Sequence, residues 1–143
     1  MAPSHVLVPL DGSPLADDAL VHALETFDCP VTVLNVVTPL DSSMSESGVV
    51  APDEERTEDA RERAETLVDR AKERAGTPAY DVDVAIETGK PADTILEFAE
   101  AHAVDHIVMG GHGGDRHALT RRLLGTVATA VVGDAPVTVT VVR

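Results

Sequence analysis

The chain has 143 residues and a formal net charge of −14 at pH 7, from 25 acidic side chains against 11 basic ones. That length suits one domain spanning 1–143 with a sizeable core. A single cysteine, Cys29, excludes an intramolecular disulfide, and the acidic balance repels nucleic acid and anionic membranes.

No apolar run of roughly eighteen residues and no basic, apolar leader is present, so neither a membrane span nor a signal peptide is expected, and the cytoplasm is the expected compartment. The bases are nine Arg and only two Lys, Lys72 and Lys90. Low Lys with abundant Asp, Ala and Val is a surface suited to concentrated salt, which predicts a halophilic archaeal source. Trp is absent and aromatic residues make up 2%, so the core has to be Val, Leu, Ile and Ala.

The first apolar run, His5 to Leu10, reads as a buried strand. Asp11-Gly12-Ser13-Pro14 follows as a turn in which Ser13 caps a helix and Pro14 takes its first position. Ala16, Ala19, Leu20, Ala23, Leu24 and Phe27 recur at helical spacing. Val31 to Val37 is a second strand, and residues 38–52 have the composition of a mobile loop. A long charged helix follows, with Ala60, Ala64, Leu67, Val68, Ala71 and Ala75 as its apolar stripe, the other positions as a solvated face, and Gly76 as its stop. Tyr80 to Glu87 alternates as a third strand, and Gly89-Lys90-Pro91 opens a third helix with Ala92, Ile95, Leu96 and Ala99 on one face. The fourth strand, Asp105 to Met109, runs into a glycine-rich loop. A short helix from about Gly125 to Val132, with Gly133 near its C-cap, leads to a last strand, Pro136 to Val142.

Strands and helices alternate throughout. The expected fold is therefore α/β, a parallel doubly wound sheet covered on both faces. Ligands of such sheets sit at the C-terminal ends of the strands, near the point where strand order reverses. The turn at Asp11 and the loop after Met109 both lie at such ends.

The loop has the parts of a phosphate cradle. Gly110, Gly111, Gly113 and Gly114 can adopt positive φ and let backbone N–H groups approach a ligand. Gly125-Thr126 opens a helix whose unpaired N–H groups and dipole favour an anion. Arg116, Arg121 and Arg122 gather here against one acid, Asp115. The alternatives are a strand-to-helix turn alone at Asp11, a merely flexible glycine loop, and arginines paired with surface acids. His106, His112 and His117 are spaced by six and five residues with no cysteine beside them, which does not make a metal site. No nucleophile-base pairing is readable, so no catalytic residue is assigned.

The ordered set Val8-Pro9-Leu10-Asp11-Gly12-Ser13, Leu34-Asn35-Val36-Val37, Gly89-Lys90-Pro91-Ala92, Val104 to Gly110 and Leu123 to Ala128, with the Val-rich last strand, resembles the universal stress protein family over essentially the whole chain. The resemblance implies a Rossmann-like, five-stranded parallel sheet in the order 3-2-1-4-5. It also implies a homodimer formed through the C-terminal edge strand, and an ATP-binding stress-response regulator. By the same resemblance Asp11 would approach the adenosine end and Pro9 would shape its turn. The backbone of Val36 would meet adenine, Met109 would pack near the ribose, and Gly110, Gly113, Gly125 and Thr126 would hold the phosphates, with Arg116 beside them. Mg²⁺ would ride on those phosphates rather than on protein ligands. The family pattern places nine residues between its second and third glycines. Here residues 114–124 number eleven, and starting from Gly114 still leaves ten. The lengthened spacer favours a competing expectation, a dimeric adaptor of the same fold without nucleotide. A slow ATP hydrolase is a further alternative, for which no general base is readable.

Overall fold

The computed structural model describes residues 3–11, 13–39, 53–76, 81–111 and 124–143. Expectations that rest on Gly12, Tyr80, Asp115, Gly113, Gly114, Arg116, Arg121, Arg122, His112 or His117, and on most of the 38–52 loop, lie outside the described residues.

Nine elements alternate along the chain: β1 (Val6–Leu10), α1 (Pro14–Thr26), β2 (Val31–Val37), α2 (Asp53–Ala75), β3 (Val82–Thr88), α3 (Pro91–Ala101), β4 (His106–Gly110), α4 (Thr126–Asp134) and β5 (Thr138–Val142). The strands form one parallel sheet in the order β3-β2-β1-β4-β5. Strand order reverses between β1 and β4, so the crevice above these two strands is the topological switch point.

Burial explains why β1 reads as a continuous apolar run. Val6, Val8 and Leu10 face a core shared with α1 and α2, including Leu20, Leu24, Ala64 and Val68. Leu7 points to the other face, where Leu34, Ile95, Phe98, Ile107 and Val131 pack under α3 and α4. A strand covered on both sides has no solvent face to alternate with. β3, at the edge, keeps most of the period-two pattern: Val82, Val84 and Ile86 are half-buried while Asp83 and Glu87 are exposed, and Ala85 departs from it, half-buried against the second core.

Element ends follow local chemistry. The Ser13 hydroxyl accepts from Ala16 N–H at 3.3 Å, and Pro14 supplies the first turn of α1. Gly76, at φ 69°, stops α2 in the left-handed conformation that a Cβ disfavours. Several boundaries differ from the sequence reading: β1 starts at Val6, β3 ends at Thr88 and β4 runs from His106 to Gly110, each within one residue of expectation. β3 begins at Val82, and the last strand starts at Thr138, opposite His106, two residues beyond Pro136. α4 continues through Gly133 to Asp134, where Ala135 N–H donates to Val131 O, so Ala135 is the cap. Gly133 has open space around it and is tolerated inside the last turn.

Candidate functional site

The C-terminal ends of β1, β2 and β4 open into a cleft with two lobes. The first encloses about 210 Å³ and is mostly apolar, lined by Pro9, Leu34, Val36, Ile95 and Met109 with Gly110, Gly125 and Thr126 at one side. The second, about 620 Å³, lies over β2 against α2 and is mixed, with Asn35, Thr38, Arg56, Asp59 and Arg63 beside the apolar Val37, Ala64 and Leu67 on its walls. Asp11, Val36 and Pro91 border both lobes and form the ridge between them.

The ridge is held by main-chain contacts. Asp11 Oδ1 accepts from Ser13 N–H at 2.9 Å, an Asx turn that fixes the carboxylate at the mouth of the cleft. Asn35 Nδ2 donates to Leu10 O at 3.2 Å, tying the end of β1 to β2. Gly89 N–H donates to Val37 O at 3.0 Å, which brings the start of α3 and Pro91 over the same edge.

Gly110 is required here for closeness and not for a left-handed backbone. Its φ is ordinary, and it is the last residue of β4. A Cβ at this position would stand 3.0 Å from Ala16 N, Leu15 C and Leu15 Cβ, so the first turn of α1 sits against the bare strand end. Gly111 also has an ordinary φ. The expectation of positive φ is thus corrected for these two glycines.

Two hydrogen bonds close the stem of the glycine loop. Gly111 N–H donates to Val142 O at 2.8 Å, and Gly125 N–H donates to Gly111 O at 2.6 Å. The residues on either side of the long spacer are therefore in contact, whatever number of residues lies between them. This places Gly125, the N-cap of α4, beside the end of β4. No side chain caps this helix among the described residues, and Thr126, Val127 and Ala128 of its first turn line the apolar lobe. Unpaired N–H groups at a helix start, with the positive end of the dipole behind them, are what an anionic group needs.

The structure thus brings Pro9, Asp11, Val36, Met109, Gly110, Gly125 and Thr126 together around one lobe. Gly113 and Arg116 are the two candidates outside the described residues. His106 lies at the opposite end of β4, where its Nε2 meets Thr140 Oγ1 at 2.7 Å and its ring packs on Phe27. Two groups of lining residues escaped the sequence reading. Pro91 and Ile95 could have been found from the rule that ligands gather at strand ends, since Gly89-Lys90-Pro91 follows β3. Arg56, Asp59 and Arg63 were counted with the solvated face of the long helix, and no periodicity distinguishes them from it.

The sequence profile of the universal stress protein family matches residues 3–143. A universal stress protein of Methanocaldococcus jannaschii is 32% identical over 143 residues, covering 96% of this chain and 81% of its own. The solved universal stress protein UspA of Lactobacillus plantarum superposes with a TM-score of 0.74 at 26% identity, covering 100% of this chain and 99% of its own. A universal stress protein of Archaeoglobus fulgidus, solved in complex with dAMP, shares the fold at a TM-score of 0.63 and 21% identity, each chain covered in full at 100%.

Proposed function

The chain belongs to the universal stress protein family, and from that premise we propose that it binds an adenine nucleotide, ATP in the first instance, and acts as a stress-response regulator in the form of a cytoplasmic homodimer. The observation that carries this reading is the clasped stem of the glycine loop. With Gly125 bonded to Gly111, the open start of α4 and the bare end of β4 face one apolar lobe. The dAMP complex of the A. fulgidus relative supports an adenine nucleotide as the ligand class.

In this reading the base lies on Leu34, Val36, Ile95 and Met109, where apolar surface is removed from water. Main-chain groups at Val36 select its edge. Asp11, already oriented by Ser13 N–H, accepts from a ribose hydroxyl. Gly110 and Thr126 present backbone N–H groups to the phosphates, Gly125 sets the start of α4 with its own N–H held by Gly111 O, and Gly113 and Arg116 join them. Mg²⁺ then rides on the phosphates. β5, whose outer edge carries no strand among the described residues, is the pairing surface of the dimer.

The test is the nucleotide content of protein purified in high salt, denatured and resolved by anion-exchange chromatography. Near-stoichiometric adenine nucleotide is expected, and Asp11→Ala should emerge depleted. A protein that is empty and also fails to bind added Mg-ATP would overturn the reading in favour of a nucleotide-free adaptor.

A further inference from the structure

The second lobe has a chemistry that the nucleotide reading leaves unused. It opens on the far side of the Asp11–Val36–Pro91 ridge and is lined by two guanidinium groups from one helix, Arg56 and Arg63. They are seven residues apart, two turns of α2, and so lie on one face. Arg56 is anchored at the rim, where its Nη2 donates to Thr38 O at 3.1 Å. Arg63 is exposed and makes no hydrogen bond or ion pair among the described residues. Its lining balances these two arginines with two carboxylates, Asp11 and Asp59, so the hollow is neutral in a chain that carries 25 acids against 11 bases.

Size points the same way. The apolar lobe, about 210 Å³, falls short of an ordinary small-molecule site, for which roughly 300–1,000 Å³ is usual. Adding the neighbouring lobe of about 620 Å³ brings the cleft into that range. The two lobes meet at Asp11, a carboxylate. In nucleotide sites of parallel sheets a carboxylate accepts from a free ribose hydroxyl, whereas an arginine nearby accommodates a phosphate when the oxygen carries one; here Asp11 is left for the ribose hydroxyl that remains free.

We infer that the second lobe is a subsite for a phosphate on the ribose 2′ or 3′ oxygen, so that the preferred ligand is a nucleoside phosphorylated at both the 5′ and a secondary position. This rests on the nucleotide reading above. Arg56 and Arg63 supply charge-assisted hydrogen bonds to the second phosphate. Asp59, three residues after Arg56 and four before Arg63, is a helical neighbour of both and competes with that phosphate for them. The competition gives the proposal a signature of opposite sign: removing the Asp59 charge strengthens the subsite, whereas removing Arg63 weakens it.

The experiment is calorimetric titration of the full chain at fixed ionic strength with adenosine 5′-monophosphate, adenosine 3′,5′-bisphosphate, adenosine 2′,5′-bisphosphate and inorganic phosphate. One of the two bisphosphates is expected to bind about tenfold more tightly than the monophosphate. Arg63→Gln, at an exposed position, should abolish that advantage and leave the monophosphate affinity unchanged, while Asp59→Asn should enlarge it. Equal affinity for mono- and bisphosphates overturns the subsite and leaves the nucleotide reading standing. An advantage that survives Arg56→Gln combined with Arg63→Gln also overturns it. Inorganic phosphate bound through Arg63 with no preference among nucleotides would make the lobe an independent anion site, against the proposal. Failure to bind any nucleotide overturns both readings together.

Discussion

At Gly110 a single hydrogen in place of a side chain decides how closely two elements approach. The positions a Cβ would meet are backbone atoms of Leu15 and Ala16 and the Leu15 Cβ, all at 3.0 Å, and none is the far end of a flexible side chain. Gly110→Ala should therefore push α1 away from β4, lowering stability by about 1–3 kcal/mol in denaturant titration and weakening nucleotide binding in parallel. A different residue-scale device sits at the opposite end of the sheet. Ser4 N–H, the Ser4 hydroxyl and His5 N–H all donate to the Asp105 carboxylate, at 2.8 to 3.1 Å. Led by the Ser4 backbone bond, they hold its pKa at about 2 against an ordinary 3.8. A depressed carboxylate stabilises the fold fully above its unfolded value and loses that contribution as pH falls through the folded one. The melting temperature of Asp105→Ala should thus lie below that of the unsubstituted chain at pH 7, and the two should converge as pH falls from about 4 towards about 2. Because Asp105 is exposed, solvent screening keeps the gap small.

At the scale of elements, α1 and α4 start in contrasting ways. α1 is capped by Ser13, and Ser13→Ala should cost about 0.5–2 kcal/mol by thermal or chemical unfolding. α4 begins at a glycine with no side chain to satisfy its first N–H groups, which leaves them for a ligand. Both starts were legible in the sequence, since Ser13-Pro14 and Gly125-Thr126 are local signals. So was the helical stripe of α2: Ala60, Ala64, Val68 and Ala71 are buried as their spacing requires, with Leu67 and Ala75 partly so. The strands were legible because apolar periodicity is imposed by the covering helices, continuous for β1 and alternating for β3. Other features depend on distant partners and leave no local trace. The role of Gly110 depends on α1, which lies ninety-odd residues earlier in the chain. Arg56 and Arg63 reach the cleft only because α2 packs across the end of β2. Strand order itself came from the family resemblance, as alternation alone does not fix it.

For the molecule as a whole, the proposed dimer is tested at the outer edge of β5. In a parallel ladder alternate residues turn both main-chain groups to the same neighbour. Val142 O accepts from Gly111 N–H, so Thr140 and Thr138 share its side, and the N–H and C=O of Val139 and Val141 face outward. A proline at Val141 removes an outward donor and spares the bonds to β4. Val141→Pro should sediment as a monomer where the unsubstituted chain sediments as a dimer; a dimer that persists would place the interface elsewhere. The clasp between Gly111 and Gly125 has one more consequence, for how such a chain can change. Because Gly111 and Gly125 are bonded to each other, the entropy of closing the connection between them rises only slowly with its length. Length there is nearly neutral for the scaffold. The segment is thus a natural insertion point, where evolution can lengthen or replace sequence, or an engineer can graft a peptide, without redesigning the domain that carries it.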